Sequence, residues 1–156
     1  GTFDPITFGH IDVIKKSLKI FDRLIVATTD NINKDYYFST DERLSIIKNS
    51  LFKDLRLSQK RIIVISFDTL TIDLCKKYNA TVIIRGLRAV SDFEYEFQLA
   101  GMNRKLNENI ETIFLMSNIE NQIISSKFVK EIIALGGDIK KFTTKSTIKA
   151  LMKKYE

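Results

Sequence analysis

The sequence predicts a single α/β domain built on a doubly wound parallel sheet, with helices on both of its faces. Short β-branched segments alternate with helical patterns along the chain. These segments lack the polar alternation of half-exposed strands, which favours parallel strands covered on both sides. A length of 156 residues suits one domain, here residues 1–156. The predicted strands are 23–28, 61–67, 81–84 and 112–116.

The intervals between these strands carry helical spacing and helix start signals. Ser39 and Ser91 are each followed three residues later by a glutamate, the capping box that satisfies free amides of a first helical turn. Paired glycines after a helical pattern mark a helix end. The predicted helices cover 11–21 and 71–78, begin at Ser39 and Ser91, run from near Ser125 to Gly136-Gly137, and close the chain over 146–155.

Two loops are expected to bear on function. The chain begins at Gly1, directly ahead of the first helix. In a doubly wound fold such a loop is preceded by a strand, usually a central one, so we expect a truncated first strand. The longest irregular stretch, 30–38, is expected to be a substrate loop rather than a domain boundary.

The composition is that of an ordinary globular protein. Hydrophobic residues make up 44% and charged residues 28%, which excludes a disordered chain, and no apolar run is long enough to span a bilayer. Cys75 is the single cysteine and lies on the apolar face of a predicted helix, so a buried thiol and a cytoplasmic location are expected. The net charge of +6 suits a nucleic-acid binder or an enzyme with polyanionic substrates.

The first candidate site is segment 1–10, Gly-Thr-Phe-Asp-Pro-Ile-Thr-Phe-Gly-His, which runs into the first predicted helix. Glycine lets the backbone approach a ligand closely, and a helix N-terminus supplies free amides at the positive end of its dipole. His10 is the only histidine and would sit in the first turn, where it can donate a hydrogen bond to a phosphate oxygen. The alternative is an ordinary polar helix start.

The second candidate site contains two arginines. Arg85 is expected to end a strand and Arg88 to follow after a glycine turn, so both guanidiniums reach the carboxyl end of the sheet. A guanidinium binds two phosphate oxygens at once. The alternative is an ion pair with Asp92, Glu94 or Glu96. One arginine paired in this way is compatible with a phosphate site, whereas two structural arginines at a strand end are less expected.

The third candidate site is the start of the helix at Ile124-Ser125-Ser126-Lys127. Hydroxyls and free amides there would point at phosphate oxygens, and two helix N-termini facing one point form an electropositive cradle. The alternative is a plain serine N-cap, which this stretch alone would favour.

The three sites together resemble the signatures of a known family. Gly-Thr-Phe-Asp-Pro followed by Thr7-Phe8-Gly9-His10 resembles the HxGH-type nucleotidylyltransferase superfamily. Residues 84–96, Ile-Arg-Gly-Leu-Arg-Ala-Val-Ser-Asp-Phe-Glu-Tyr-Glu, with Gln98-Leu99-Ala100 and Met102-Asn103 after them, resemble the central signature of the phosphopantetheine adenylyltransferases. Ile124-Ser125-Ser126 with Val129-Lys130 is similar to the second superfamily signature. The resemblance covers nearly the whole chain and implies a Rossmann-like nucleotidyltransferase fold.

The resemblance also implies a role for individual residues. Catalysis would depend on His10, Lys34 and Arg88. The acceptor phosphopantetheine would contact Thr2, Lys34, Thr71 and Arg85. The residues implied to bind ATP are Thr2, Phe3, His10, Gly86, Leu87, Arg88, Glu96, Asn121, Gln122, Ile123, Ile124, Ser125, Ser126 and Lys127.

Three stretches depart from the family pattern. Asp35 and Tyr36 stand where the family often has a second basic residue and a proline. Asn121-Gln122 replaces a stretch that often carries an aromatic residue and a serine, so adenine packing is expected to differ. Lys127 stands where many relatives have a third serine, and it either adds a phosphate contact or points to solvent.

The implied reaction is AMP transfer from ATP to 4′-phosphopantetheine, giving dephospho-coenzyme A and pyrophosphate. The acceptor phosphate needs no general base, so positioning and positive charge would carry catalysis. Mg²⁺ would be held mainly by ATP phosphates and water, with no protein metal site, and the family implies a homohexamer with no nucleic-acid or membrane partner. The alternatives are a sister nucleotidylyltransferase acting on another phosphate acceptor, or a basic nucleic-acid-binding domain in which Tyr36, Tyr37 and Phe38 near Lys34 stack on bases.

Overall fold

All four predicted strands are present, but among the described residues they form two separate two-stranded parallel sheets rather than one continuous sheet. The computed structural model describes residues 1–31, 34–88 and 90–155. Within them β1 pairs with β2, and β3 with β4, each pair in parallel. The α/β class and the single domain predicted from the sequence are therefore confirmed. The strands are β1 (Leu24–Thr29), β2 (Ile62–Phe67), β3 (Val82–Leu87) and β4 (Glu111–Met116).

The third strand is longer than predicted and includes the predicted site residues Arg85, Gly86 and Leu87. β3 continues to Leu87 because Arg85, Gly86 and Leu87 keep their register with Phe114, Leu115 and Met116 of β4. The expectation that Arg85 ends the strand and that Gly86 forms a turn was wrong. Arg88 is instead the first residue beyond the strand.

Helices precede β1, occupy the intervals between the strands and follow β4. In chain order they are α1 (Phe8–Ile20), α2 (Thr40–Lys48), α3 (Thr71–Lys77), α4 (Val90–Leu106), α5 (Ile119–Gln122), α6 (Ser126–Ala134) and α7 (Lys145–Tyr155). The last turn of α2 leads into a π-helical segment, Asn49–Asp54, which the sequence did not predict. The short helix α5 was also missed.

Two of the predicted start signals are confirmed, and one is misplaced. Ser39 caps α2, with its hydroxyl accepting from the Glu42 amide at 3.2 Å and the Glu42 carboxylate accepting from the Ser39 amide at 2.8 Å. Ser125 caps α6. Ser91, however, lies inside the first turn of α4, because that helix already begins at Val90.

The end of α6 shows why a glycine follows it. Gly136 has a φ of 78°, a left-handed conformation that favours glycine, and the Gly137 amide donates to the Ile132 carbonyl at 2.8 Å. The helix itself ends at Ala134, slightly before the predicted glycine pair.

The core lies in two clusters of buried apolar side chains. The larger one includes Ile11, Ile47 and Leu51, and joins α1 to the first strand pair and the helices around it. The smaller one contains Cys75 beneath β3. Cys75 is buried as predicted, and burial raises the pKa of its thiol, as expected of a structural cysteine. No described helix has the length and apolar character needed to cross a membrane.

Helix α1 connects the two strand pairs and thereby fixes the site. Lys16 on α1 donates to the carbonyl of Met116 at the end of β4, at 2.6 Å. Gly86 of β3 packs so closely on α1 that an added Cβ would lie 3.1 Å from Cγ2 of Val13. Helix α1 therefore packs against the carboxyl-terminal ends of β3 and β4.

Candidate active site

The loop ahead of α1 is attached to the carboxyl end of β1. The Gly1 amino group donates to the Ala27 carbonyl at 2.8 Å, and the Thr29 amide donates to the Gly1 carbonyl at 2.9 Å. The Thr28 hydroxyl then donates to the Thr2 carbonyl at 3.0 Å. These contacts place Thr2 at the strand end, immediately before the chain turns into α1.

His10 is held in one tautomer by the start of its own helix. The Thr7 amide donates to Nδ1 of His10 at 3.1 Å, and the Thr7 hydroxyl lies 3.0 Å from the same atom. Because Nδ1 accepts a hydrogen bond, the ring proton is on Nε2. Phe3, with its backbone at a φ of 48°, packs against the imidazole with ring centroids 5.0 Å apart. His10 therefore presents an N–H donor from the Nε2 side of the ring.

The imidazole is neutral at physiological pH. Burial, then the positive charges of the Gly1 amino group and Arg88, lower the pKa of His10 from 6.5 to about 3. A neutral imidazole with its proton on Nε2 donates a hydrogen bond without giving up the proton. The charge of Arg88 is thus among those that disfavour a protonated His10.

The N-terminus of α6 meets the same loop. The Ser126 hydroxyl donates to the Pro5 carbonyl at 2.7 Å. Gly9 packs against the segment before α6, where an added Cβ would lie 3.1 Å from the Asn121 carbonyl oxygen and 3.4 Å from that of Ile124. The N-termini of α1 and α6 therefore lie next to each other.

Both arginines of the second candidate site have acidic partners. Arg85 makes a bidentate pair with the buried Glu96, Nε to Oε2 at 2.7 Å and Nη2 to Oε1 at 2.6 Å, and this hydrogen bonding raises the pKa of Arg85. Nε of Arg88 donates to the Asp92 carboxylate at 3.2 Å, but the Arg88 side chain is 44% exposed. Both arginines thus form ion pairs of the kind given as the alternative, although two such pairs were the less expected outcome. The Arg88 pair is a surface pair, which a polyphosphate can displace at little cost.

Comparison with known proteins agrees with these signatures. A family model described as cytidylyltransferase-like matches residues 1–132. A phosphopantetheine adenylyltransferase of Pelagibacter ubique (strain HTCC1062) is 71% identical over 156 residues, which is 100% of this chain and 95% of that protein. The chain belongs to the phosphopantetheine adenylyltransferase family.

Other relatives with the same name are more distant. The phosphopantetheine adenylyltransferase of Wolbachia pipientis wMel is 52% identical over 145 residues, covering 93% of this chain and 84% of that protein. That of Sphingopyxis alaskensis is 47% identical over 152 residues, covering 97% of this chain and 88% of that protein. The family is therefore recognisable along nearly the whole chain.

Two further predicted site residues of this phosphopantetheine adenylyltransferase family member, Lys34 and Thr71, lie in other segments of the chain. Lys34 is exposed in the 30–38 loop, and its amide donates to the Asn31 carbonyl at 3.1 Å. Thr71 begins α3, and among the described residues no hydrogen bond joins it to the rest of the predicted site.

The segment from 121 to 127 is more occupied by internal contacts than the sequence suggested. The Asn121 amide group donates to Asp12 of α1 at 2.7 Å, and Gln122 donates to the Ser117 carbonyl at 3.3 Å. The Ser125 hydroxyl accepts from the Phe128 amide at 3.1 Å. Lys127 is 80% exposed and lies 3.8 Å from Glu131. Backbone amides of the first turn are thus the groups that α6 offers to an anion.

Asp4 lies within the first candidate site, but the sequence analysis assigned it no role of its own. Its buried carboxylate accepts from the amides of Tyr37 and Phe38 at 2.8 and 2.9 Å and from Nζ of Lys130 at 3.2 Å. It thereby joins the first loop, the 30–38 loop and α6. A lone aspartate inside a motif gives no periodic signal, so only its place between Phe3 and Pro5 could have singled it out.

Proposed function

We propose that this chain transfers AMP from ATP to 4′-phosphopantetheine, giving dephospho-coenzyme A and pyrophosphate. One observation carries the proposal: the N-termini of α1 and α6 adjoin one point, beside a neutral His10 that offers an Nε2–H donor. Such a cradle suits a polyphosphate. The 71% identity to a protein named for this reaction supports the same activity.

The chemistry requires positioning and positive potential rather than a base. An oxygen of the acceptor phosphate forms a bond to the α-phosphorus of ATP while the bond to the β-phosphate oxygen breaks, and pyrophosphate leaves with that electron pair. The acceptor is already an anion at neutral pH. The barrier lies in bringing two anions together, so donors placed where charge builds lower it.

Each residue of the site has a part in this proposal. His10 Nε2–H and Thr2 bind the α-phosphate, Lys34 orients the acceptor and the α-phosphate, and Arg88 with the α6 amides holds the β- and γ-phosphates. The Arg85 pair with Glu96 uses Nε and Nη2, so Nη1 is the donor proposed to contact the acceptor. The other proposed contacts, with adenosine and with the pantetheine arm, are Phe3, Gly86, Leu87, Glu96, 121–127 and Thr71.

The donor set fits a metal that enters with its nucleotide. In the described part of the chain no three acidic, histidine or cysteine side chains cluster as metal ligands. We propose that Mg²⁺ is held mainly by ATP phosphates and water, where it neutralises charge on the phosphates.

The assembly state is proposed from the family. We propose a cytoplasmic homohexamer without nucleic-acid or membrane partners. Support comes from α4, which exposes Tyr95, Phe97 and Met102 at 65%, 62% and 62%, a set of large apolar side chains suited to a subunit interface. Analytical ultracentrifugation measures the mass directly, and a monomer at micromolar concentration would contradict the hexamer.

An acceptor panel tests the function. The protein is offered 4′-phosphopantetheine, nicotinamide mononucleotide or a polyol phosphate, each with ATP or CTP, and pyrophosphate release is measured. We expect turnover only with ATP and phosphopantetheine. Arg88→Gln should lower it, whereas Arg104→Gln is the matched control, because Arg104 is exposed and pairs with Glu111 at the opposite, amino end of β4.

Other outcomes assign other functions. Turnover with CTP or with another acceptor would make the chain a sister nucleotidylyltransferase. Salt-sensitive binding of RNA or DNA without any pyrophosphate would favour the nucleic-acid-binding alternative.

A further inference from the structure

Arg43, near the start of α2, is completely buried, although it is not one of the proposed catalytic residues. Its side chain has 0% exposure and is the largest fully buried one among the described residues. Taking a guanidinium out of water is costly, and an apolar side chain in such a place is often no less stable. Moreover, Nε of Arg43 has no hydrogen-bond partner. Stability of the fold alone therefore does not account for an arginine here.

The contacts of the guanidinium end at the active site. Nη1 donates to the carbonyls of Thr2 at 3.1 Å and Thr29 at 2.7 Å, and to the Thr28 hydroxyl at 2.9 Å. Thr28 itself donates to the Thr2 carbonyl at 3.0 Å. Arg43 thus attaches the loop that carries Thr2 to the carboxyl end of β1.

The same guanidinium also contacts two residues of the 30–38 loop, Asp30 and Tyr36. Nη2 lies 3.6 Å from the Asp30 carboxylate, and the ring of Tyr36 stacks on the guanidinium with its centroid 3.9 Å from Cζ. Lys34 lies between these two contacts along the chain. A planar group with several donors can make all of these contacts together, whereas an ammonium cannot.

We propose that Arg43 is a positioning residue for adenylyl transfer, which sets the Thr2 loop and the Lys34 loop in register with each other. This inference rests on the proposed function. Arg43 touches neither substrate in this account and acts through the two loops. Misplacing groups that align two phosphates slows the chemical step far more than it weakens binding of either substrate.

The variant Arg43→Lys tests the proposal, because it keeps the charge and the aliphatic stem but loses the planar fork. We expect kcat to fall by on the order of tenfold to a hundredfold, with the KM for ATP changed by less than about threefold. In a double-mutant cycle with Lys34→Ala, the two losses in kcat should be clearly less than additive, since Arg43 acts in part through Lys34.

The matched control is Ser50→Ala. Ser50 is also fully buried, and its hydroxyl lies 2.7 Å from that of Thr144, between the π-helical segment and α7. This variant should lower the melting temperature with kcat unchanged. If Arg43→Lys keeps the wild-type kcat, or if its loss adds fully to that of Lys34→Ala, the positioning role is wrong.

Limited trypsin digestion separates this proposal from the proposed function. Cleavage after Lys34, followed by mass spectrometry, should be faster in Arg43→Lys than in Ser50→Ala at matched stability, because the loop has lost its anchor. If the wild type has no transferase activity but the two variants still differ in cleavage, the proposed function is wrong and the anchoring role of Arg43 stands. Equal cleavage in both variants would overturn the anchor.

Discussion

At the scale of single residues, the chemistry of His10 follows from one helix cap. An isolated imidazole titrates near neutral pH and exchanges its proton between two nitrogens. Here the Thr7 amide occupies Nδ1, and burial, first among the causes, lowers the pKa to about 3. The sequence predicted that His10 faces phosphate, but not its tautomer or its neutral state, because both depend on contacts that folding creates.

The neutral state of His10 can be observed directly. His10 is the only histidine, so the imidazole C–H signals in a proton NMR spectrum belong to it alone. We expect no titration of these signals between pH 8 and pH 5, and a ¹⁵N pattern with the proton on Nε2. A midpoint near pH 6.5 would contradict the account.

The same shift makes stability depend on pH. The folded pKa of about 3 lies below the unfolded value of 6.5, so between these values the unfolded chain binds more protons. Stability due to His10 is therefore fully present above pH 6.5 and is lost as pH falls towards 3, at up to about 1.4 kcal/mol per pH unit. Urea unfolding of wild type and His10→Gln across this range should show the difference, and parallel curves would refute it.

Asp4 shows how a buried carboxylate stabilises a site without touching substrate. Asp4→Ala leaves the Tyr37 and Phe38 amides and Lys130 without their acceptor, and breaking such a pair costs about 3–5 kcal/mol. Asp138→Ala is the control, since its pair with Lys140 is exposed and should contribute less than about 1 kcal/mol. Urea unfolding measures the free energy of unfolding of both variants, and equal losses in Asp4→Ala and Asp138→Ala would contradict this role.

At the scale of elements, the local signals in the sequence were sufficient for some boundaries and not for others. Capping boxes act within four residues, so the start of α2 at Ser39 was predictable. The end of β3 was not, because Gly86 reads as a turn residue locally, and only pairing with Leu115 keeps it in the strand. Likewise Ser91 fits a cap, yet α4 begins before it. The pair between Arg85 and Glu96 depends on how α4 docks on β3, which no local pattern encodes.

Gly9 tests how closely α1 must approach the segment before α6. Gly9→Ala places a Cβ 3.1 Å from the backbone oxygen of Asn121, so the two helix starts must move apart. We expect lower stability and a lower kcat/KM for ATP. Gly101→Ala is the control, because its Cβ would meet nothing within 4 Å and alanine should stabilise α4 by about 0.5–1 kcal/mol. Thermal unfolding measures the stability of the two variants, and initial rates measure their kcat/KM for ATP. The same stability and kcat/KM in Gly9→Ala and Gly101→Ala would show that the close approach is unimportant.

At the scale of the whole molecule, the site is an assembly of segments far apart in the chain. α1 contacts the end of β4 through Lys16 and the segment before α6 through Asp12, across about two thirds of the sequence. The motifs identified these segments, and the doubly wound pattern predicted that they meet at the carboxyl ends of the strands. What the sequence left out were the buried connectors Asp4 and Arg43, whose partners lie on segments distant in the chain and include backbone groups. The net charge of +6 is consistent with polyanionic substrates but did not by itself locate them.

We propose that the Nε2–H of His10, a preorganised donor beside two helix starts, stabilises the transition state of AMP transfer. The most direct measurement is the rate of pyrophosphate release by wild type and His10→Ala at saturating ATP and 4′-phosphopantetheine, with folding of the variant checked by thermal unfolding. We expect kcat to fall by about a hundredfold or more while both KM values change far less. A folded His10→Ala variant with near-normal kcat would contradict it.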